Sequence, residues 1–342
     1  MTTLGVGIVG MGWVSGEHIR AFGANPHTKV LALCGRTVEQ AQAKARECGL
    51  DCAVFADYAD MLNHPGIDIV SIATPPNVHK EQAVAAARAG KHVMLEKAMA
   101  TTLEDTRAIR DAVAKAGVKS VVSFVLRWNP LFELIKTQIA QENIGRIFYG
   151  EVDYFHGIGP QYGQFKWNIK KDIGGSSLLS AGCHALDALR WFMGGNVVEV
   201  TQYATSGGGK EYAPYEYPPT SVTLLKFADG RLGKVTSCIE STQPYVFNIN
   251  LVGTEGTIKN NRIFSRKAFP GQTTWVEVPT ILPDSGDVTH HPFRGEVDHL
   301  VECITQNRES HVNIADACVT HEIIFAADRS GREGKPIGLP LP

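Results

Sequence analysis

The chain has 342 residues, with 33 Lys+Arg against 35 Asp+Glu and a formal net charge of -2. At roughly 150 residues per domain, this length points to two domains, each able to bury its own core. Near-neutral charge with 44% hydrophobic residues excludes a disordered chain and gives no electrostatic reason to bind nucleic acid or an anionic membrane.

The first third alternates strand and helix. Leu4–Val9 is a short apolar strand ending at Gly10-Met11-Gly12, and a helix is expected over about Trp13–Ala24. Lys29–Leu33 reads as a second strand, and Val38–Cys48 as a strong helix former stopped by Gly49. Ile67–Ala73 is a third strand, closed by Pro75-Pro76. Helix Glu81–Ala89, strand Val93–Leu95, helix Leu103–Ala116 and strand Lys119–Phe124 complete the series. Strands joined by helices of this length imply right-handed crossovers and a doubly wound parallel sheet, a Rossmann fold.

After Pro130 the pattern changes. Leu131–Gln141 is one more amphipathic helix, and then long alternating strands dominate: Arg146–His156, Val197–Thr205, Ser221–Phe227, Arg231–Ser241, Tyr245–Gly253 and Thr257–Ser265. Asp229-Gly230 marks a hairpin. Helices are expected at about Ser177–Met193, Val297–Thr305 and Ala315–Ser330. The fold class is therefore α/β, with a Rossmann domain over 1-125 and an α+β domain over 126-342. The large, mostly antiparallel sheet of the second domain has few helices to cover it. One open face is expected to pair with another subunit, giving a homodimer or homotetramer.

No apolar run approaches the roughly 18 residues of a membrane-spanning helix. The opening Met-Thr-Thr-Leu-Gly lacks the basic region and cleavage site of a secretory signal, so a cytoplasmic protein is expected. The seven cysteines form no C-x-x-C pair, and Cys48/Cys52 lack a second ligand pair for zinc. Reduced, buried thiols fit the same compartment. His290-His291 has no carboxylate or cysteine partner at ligand spacing, so no metal site is expected.

Gly10-x-Gly12 lies between a strand and a helix, the context that a dinucleotide fingerprint requires. Gly10 permits the tight turn, and Gly12 lets the backbone approach a pyrophosphate held by amides of the helix start at Trp13 and Val14. The third glycine position is Ser15, a small residue. Cys34-Gly35-Arg36-Thr37 ends the second strand without the acid that binds an NAD ribose. Arg36 and Thr37 are suited to a 2′-phosphate, so NADP is favoured slightly over NAD.

The segments Ala73-Thr74-Pro75-Pro76-Asn77-Val78-His79 and Gly90-Lys91-His92-Val93-Met94-Leu95-Glu96-Lys97 resemble the glucose–fructose oxidoreductase/inositol dehydrogenase (Gfo/Idh/MocA) family. The likeness extends over nearly the whole chain. It includes Arg127-Trp128-Asn129-Pro130, Gly174-Gly175, Gly182-Cys183-His184 with Asp187, Gly253-Thr254-Glu255-Gly256, and the helix Glu296–Ile304. The resemblance implies an NAD(P)-dependent oxidoreductase acting on a sugar, inositol or related polyol. It also implies cofactor contacts from Thr74, Pro75, Asn77, His79, Glu96 and Lys97.

In the family, a lysine of Glu-Lys-Pro and a histidine of Gly-x-His-x-x-Asp face the substrate hydroxyl. These match Lys97 and His184. Oxidising a secondary alcohol requires a proton acceptor, and an imidazole with an intrinsic pKa near about 6.5 suits that task. Lys97 would hydrogen-bond the same oxygen and stabilise its alkoxide character. Asp187 is expected to contact a sugar hydroxyl or orient His184 from the same helix face. Trp167, with Lys166, Lys170 and Lys171 beside it, is expected near the substrate, an indole packing on a sugar's apolar face. Tyr154, His156 and Tyr162 are further candidates.

Two departures matter. Glu-Lys-Pro has become Glu96-Lys97-Ala98, expected to loosen that turn, and the family's acid four residues before the histidine is Ser180. A proton relay would then use Ser180, water, the substrate, or another acid such as Asp153 or Asp172. That leaves open an NAD-dependent glycoside-cleaving enzyme working through transient sugar oxidation. A non-catalytic dinucleotide-sensing regulator is the reading from another class.

Overall fold

The computed structural model describes residues 3–283 and 291–342. The elements run β1 (Leu4–Val9), α1 (Trp13–Ala24), β2 (Thr28–Cys34), α2 (Val38–Glu47), β3 (Ala53–Phe55), α3 (Tyr58–Leu62), β4 (Ile67–Ile72), α4 (His79–Arg88), β5 (His92–Leu95), α5 (Leu103–Ala116) and β6 (Ser120–Val122). There follow α6 (Pro130–Ala140), β7 (Ile147–Phe155), α7 (Phe165–Asn168), α8 (Lys171–Gly174), α9 (Cys183–Met193), β8 (Val197–Thr205), β9 (Thr220–Phe227) and β10 (Leu232–Cys238). The chain closes with β11 (Val246–Gly253), β12 (Gly256–Lys259), β13 (Arg262–Ser265), β14 (Val276–Glu277), α10 (Phe293–Thr305), α11 (Ile314–Glu333) and β15 (Ile337–Gly338).

Two compact units emerge, Met1–Phe124 with Phe293–Val319, and Val125–Pro292 with Thr320–Pro342. The sequence reading of one contiguous second domain over 126-342 therefore differs at Phe293–Val319. The reason is packing. Phe293 of α10 lies against Trp13 and His18 of α1, with ring centroids 6.3 and 5.5 Å apart.

In the first unit six parallel strands follow the order β3-β2-β1-β4-β5-β6. The order reverses between β1 and β4, which opens a crevice beyond their carboxyl ends. Helix starts follow the side-chain chemistry. Thr102 accepts from the Asp105 amide at 3.1 Å to begin α5, and Gly117 ends that helix in the left-handed region. Gly10 has φ +96°, and a Cβ there would sit 2.4 Å from the Ala73 oxygen, so only glycine is accommodated.

In the second unit nine strands follow the order β14-β13-β12-β11-β7-β10-β9-β8-β15, antiparallel except for β7 beside β10. Helix α9 covers one face. A Cβ on Gly150 of β7 would meet Met193 and Leu189 of that helix at 2.6 and 2.7 Å. Strand alternation then sends Asp153 and Lys234 to the opposite face, with the exposed Tyr203, Val222, Leu224 and Leu232. The expected single strand Thr257–Ser265 is instead two strands, turned at Asn260 with φ 53°. Asparagine tolerates that conformation, so the turn carries no glycine signal.

Gly10→Ala is expected to cost about 2–3 kcal/mol of stability, read by denaturant unfolding. An unchanged midpoint would contradict the assigned backbone.

Candidate active site

The turn after β1 leaves one helix end open. Gly12 caps α1 without a side-chain hydrogen bond, and nothing lies within 4 Å of where its Cβ would stand. Ser15 is buried, and its hydroxyl donates back to the Gly12 oxygen at 2.7 Å, filling the third-glycine position without crowding the turn. Amides at Trp13 and Val14 thus face open space at the positive end of α1. This cradle, at the strand-order reversal, fits a dinucleotide pyrophosphate.

Thr74, Pro75 and Asn77 follow β4 in the neighbouring loop, with the Thr74 hydroxyl donating to Gln82 at 2.6 Å. Arg36 and Thr37 are exposed after β2, and the Thr37 oxygen accepts from the Gln40 amide at 3.3 Å. His79 departs from its expected role. It is fully buried between the carbonyls of Ala98 (2.8 Å) and Thr74 (2.7 Å), so it clamps two loops rather than touching a nucleotide. Burial pushes its pKa down against the pull of those carbonyls.

Strand β5 delivers Glu96 and Lys97. The Glu96 carboxylate lies inside the unit, 3.0 Å from His18 Nε2, and accepts the Lys97 amide at 3.2 Å. His18 Nδ1 in turn meets the Ser71 hydroxyl at 2.7 Å. Burial pushes the Glu96 carboxyl up, but the His18 hydrogen bond and charge, the Lys97 charge and Ser123 outweigh it and hold the group below the usual range. Lys97 itself is half-buried. The turn beyond it is not loosened by the missing proline, because Ala98 is buried and its carbonyl is held by His79.

In the second unit a π-helical turn, Leu178–Gly182, leads into α9 and sets His184 in the first turn of that helix. Ser180 lies four residues earlier, and the hydroxyl of Tyr217 donates to the Asn168 carbonyl at 2.6 Å. Burial pushes the Tyr217 phenol up, eased by Ser180. Tyr217 was not foreseen, since a tyrosine in the proline-rich 214-219 loop carries no periodic signal. Tyr154 Oη lies 3.0 Å from His156 Nδ1, and His156 Nε2 lies 2.7 Å from Tyr162 Oη, a continuous hydrogen-bonded chain.

Three expectations are corrected here. Both oxygens of Asp187 are taken by the Arg127 guanidinium, at 2.6 and 2.7 Å, and Oδ1 also accepts from Thr320 at 3.1 Å. Asp187 is 2% exposed, so it balances a buried cation instead of meeting a sugar or His184. Asp153 pairs with Lys234 at 2.9 Å on the sheet face away from α9, which removes it from a His184 relay. Lys170 pairs with Glu216 at 2.7 Å, while Trp167 in α7 is half-buried, and Lys166, Lys171 and Asp172 are exposed. Among the described residues no group of His, Cys, Asp and Glu is arranged to hold a metal; His290 lies outside them.

Residues 4–124 match the family model described as "Oxidoreductase family, NAD-binding Rossmann fold", and 136–339 match its "C-terminal alpha/beta domain". The chain belongs to the Gfo/Idh/MocA oxidoreductase family. It is 26% identical over 344 residues to scyllo-inositol 2-dehydrogenase (NAD(+)) of Bacillus subtilis (strain 168), covering 98% of this chain and 96% of that enzyme. It is 30% identical over 293 residues to levoglucosan dehydrogenase of Pseudarthrobacter phenanthrenivorans, covering 76% and 74%. A levoglucosan dehydrogenase structure in complex with NADH and L-sorbose shares the fold at TM-score 0.90, 24% identity and full coverage of both chains. The WlbA dehydrogenase of Bordetella pertussis, in complex with NADH and UDP-GlcNAcA, aligns at TM-score 0.85 and 26% identity over 100% of this chain and 99% of that one.

Asp187→Asn leaves a buried guanidinium without its counter-charge and is expected to lower stability by about 3 kcal/mol, measured by denaturant unfolding. A raised KM for substrate with unchanged stability would return Asp187 to the substrate.

Proposed function

We propose that this oxidoreductase transfers hydride between a nicotinamide cofactor and a secondary hydroxyl or ketone of a sugar, inositol or related polyol. The observation that carries this reading is the pairing of an open, uncapped helix start after β1 with a lysine at the end of β5 in the same unit. The substrates named for the relatives give the substrate class. A bound nicotinamide supplies the hydride acceptor. Amides at Gly12, Trp13 and Val14 would hold its pyrophosphate, and Arg36 and Thr37 would answer a 2′-phosphate, favouring NADP slightly over NAD.

His184 takes the hydroxyl proton, and Lys97 donates a hydrogen bond to the same oxygen as negative charge builds on it. Ser180 stands one turn before His184, at the position where the family has a carboxylate. Trp167 offers a face for the sugar ring. The seven free cysteines support a reducing, cytoplasmic compartment. The exposed Tyr203, Val222, Leu224 and Leu232 support self-association through the uncovered sheet face, as a homodimer or homotetramer.

The test is a screen of sugars and inositols with NAD and NADP side by side. On the substrate found, Lys97→Ala and His184→Ala are each expected to lower kcat at least about a hundredfold, while the dissociation constant for NADH changes far less. Unchanged turnover in both variants would contradict the assignment. Consumption of substrate with no net change in nicotinamide absorbance would replace it with transient oxidation and glycoside cleavage. Separately, Arg36→Ala is expected to raise KM for NADP about tenfold with little change for NAD; equal effects on both would remove the preference.

A further inference from the structure

Gly35 directly follows β2, about 20 residues past Ser15, where an NAD-binding unit carries the acid for its ribose. Its φ lies outside the left-handed region, so the backbone there would accept any residue. Space is what the glycine supplies. A Cβ at this position would stand 3.0 Å from the Thr37 carbonyl oxygen, 3.1 Å from Met11 Cγ and 3.2 Å from the Ala41 nitrogen. Two of these atoms make the hydrogen bond that opens α2, from the Ala41 amide to the Thr37 oxygen at 3.3 Å. The third belongs to the half-buried residue between Gly10 and Gly12, in the nucleotide turn.

The strand end cannot back away from these neighbours. The Gly35 amide donates to the Phe55 carbonyl of β3 at 3.0 Å. The Cys34 carbonyl just before it accepts from the Gly10 amide, also at 3.0 Å. Gly35 is thus held from both sides, and Met11 follows the residue that makes one of the two bonds. In packing this close, an added carbon displaces whatever it meets. Of the three contacts, only the Met11 side chain can yield without disturbing the start of a helix. Arg36, next in the chain, is exposed, and its guanidinium makes no hydrogen bond or ion pair among the described residues.

We propose that Gly35, kept small by Met11 and the start of α2, is a specificity-determining residue for the cofactor. The packed glycine keeps out the carboxylate that would bind a free 2′-hydroxyl and repel a 2′-phosphate. The charge of Arg36 is then left for the phosphate. Met11 is the gate: while its side chain stands over Gly35, an acid at that position must displace packing before it can serve a ribose. The proposal rests on the reading of Arg36 and Thr37 as the 2′-phosphate subsite.

The test uses the full chain, with thermal unfolding in the absence of cofactor and calorimetric titration with NADPH and NADH. Wild type should bind NADPH more tightly than NADH. Gly35→Ala adds the Cβ alone and should lower the unfolding midpoint by about 2–4 °C. Gly35→Asp should lower it at least as far and weaken NADPH binding about a hundredfold, with NADH bound no more tightly than by wild type. In a Met11→Ala background the midpoint lost through Gly35→Asp should be clearly smaller, because the two sites are in contact. The double variant should also bind NADH about tenfold more tightly than Gly35→Asp does.

A Gly35→Ala midpoint equal to that of wild type would overturn the packing. A Gly35→Asp loss of the same size with and without the Met11 side chain would overturn the gate. Tighter NADH binding by Gly35→Asp than by wild type, with Met11 in place, would overturn the steric basis of the preference. Equal affinity of wild type for NADPH and NADH would remove the 2′-phosphate reading and the specificity role with it, while the midpoints still judge the packing.

Discussion

A carboxylate enclosed in a protein core must be answered by donors, and the donors that answer Glu96 define the cofactor-binding unit. His18 comes from α1, the helix whose N-terminus has no side-chain cap. The other donor is the amide of Lys97 itself. One buried charge thereby ties α1 to the end of β5. Such a network is costly when incomplete and specific when complete. Its requirement for a further partner, Ser71 behind His18, explains a polar residue in otherwise apolar surroundings.

The second unit solves the same problem differently. Arg127 and Asp187 neutralise each other with bidentate geometry, and the guanidinium also lies over the Trp191 ring at 5.2 Å. Ser180 lies one turn before His184, in the π-helical turn that leads into α9.

Much of the first unit was legible in the sequence because its strands are short, apolar and punctuated by glycine. The helices expected at about Trp13–Ala24 and at Leu103–Ala116 are both present. The strand Ala53–Phe55 escaped because three residues carry no period, and the Asn260 turn escaped because asparagine hides a positive φ. Residues with a local chemical signature, Gly10, Gly12 and Lys97, could be placed from the chain alone. Asp187 misled because its spacing from His184 shows a shared helix face but says nothing of an arginine 60 residues away.

The central claim is that the Lys97 amine and the His184 imidazole serve one oxygen atom of the substrate. A crystal structure of the full chain with NADH and a turnover-competent polyol tests it most directly. The expected result is a single hydroxyl within about 3 Å of both nitrogens, on the carbon facing the nicotinamide. A bound polyol whose reacting hydroxyl touches only one of them, or neither, would contradict the mechanism.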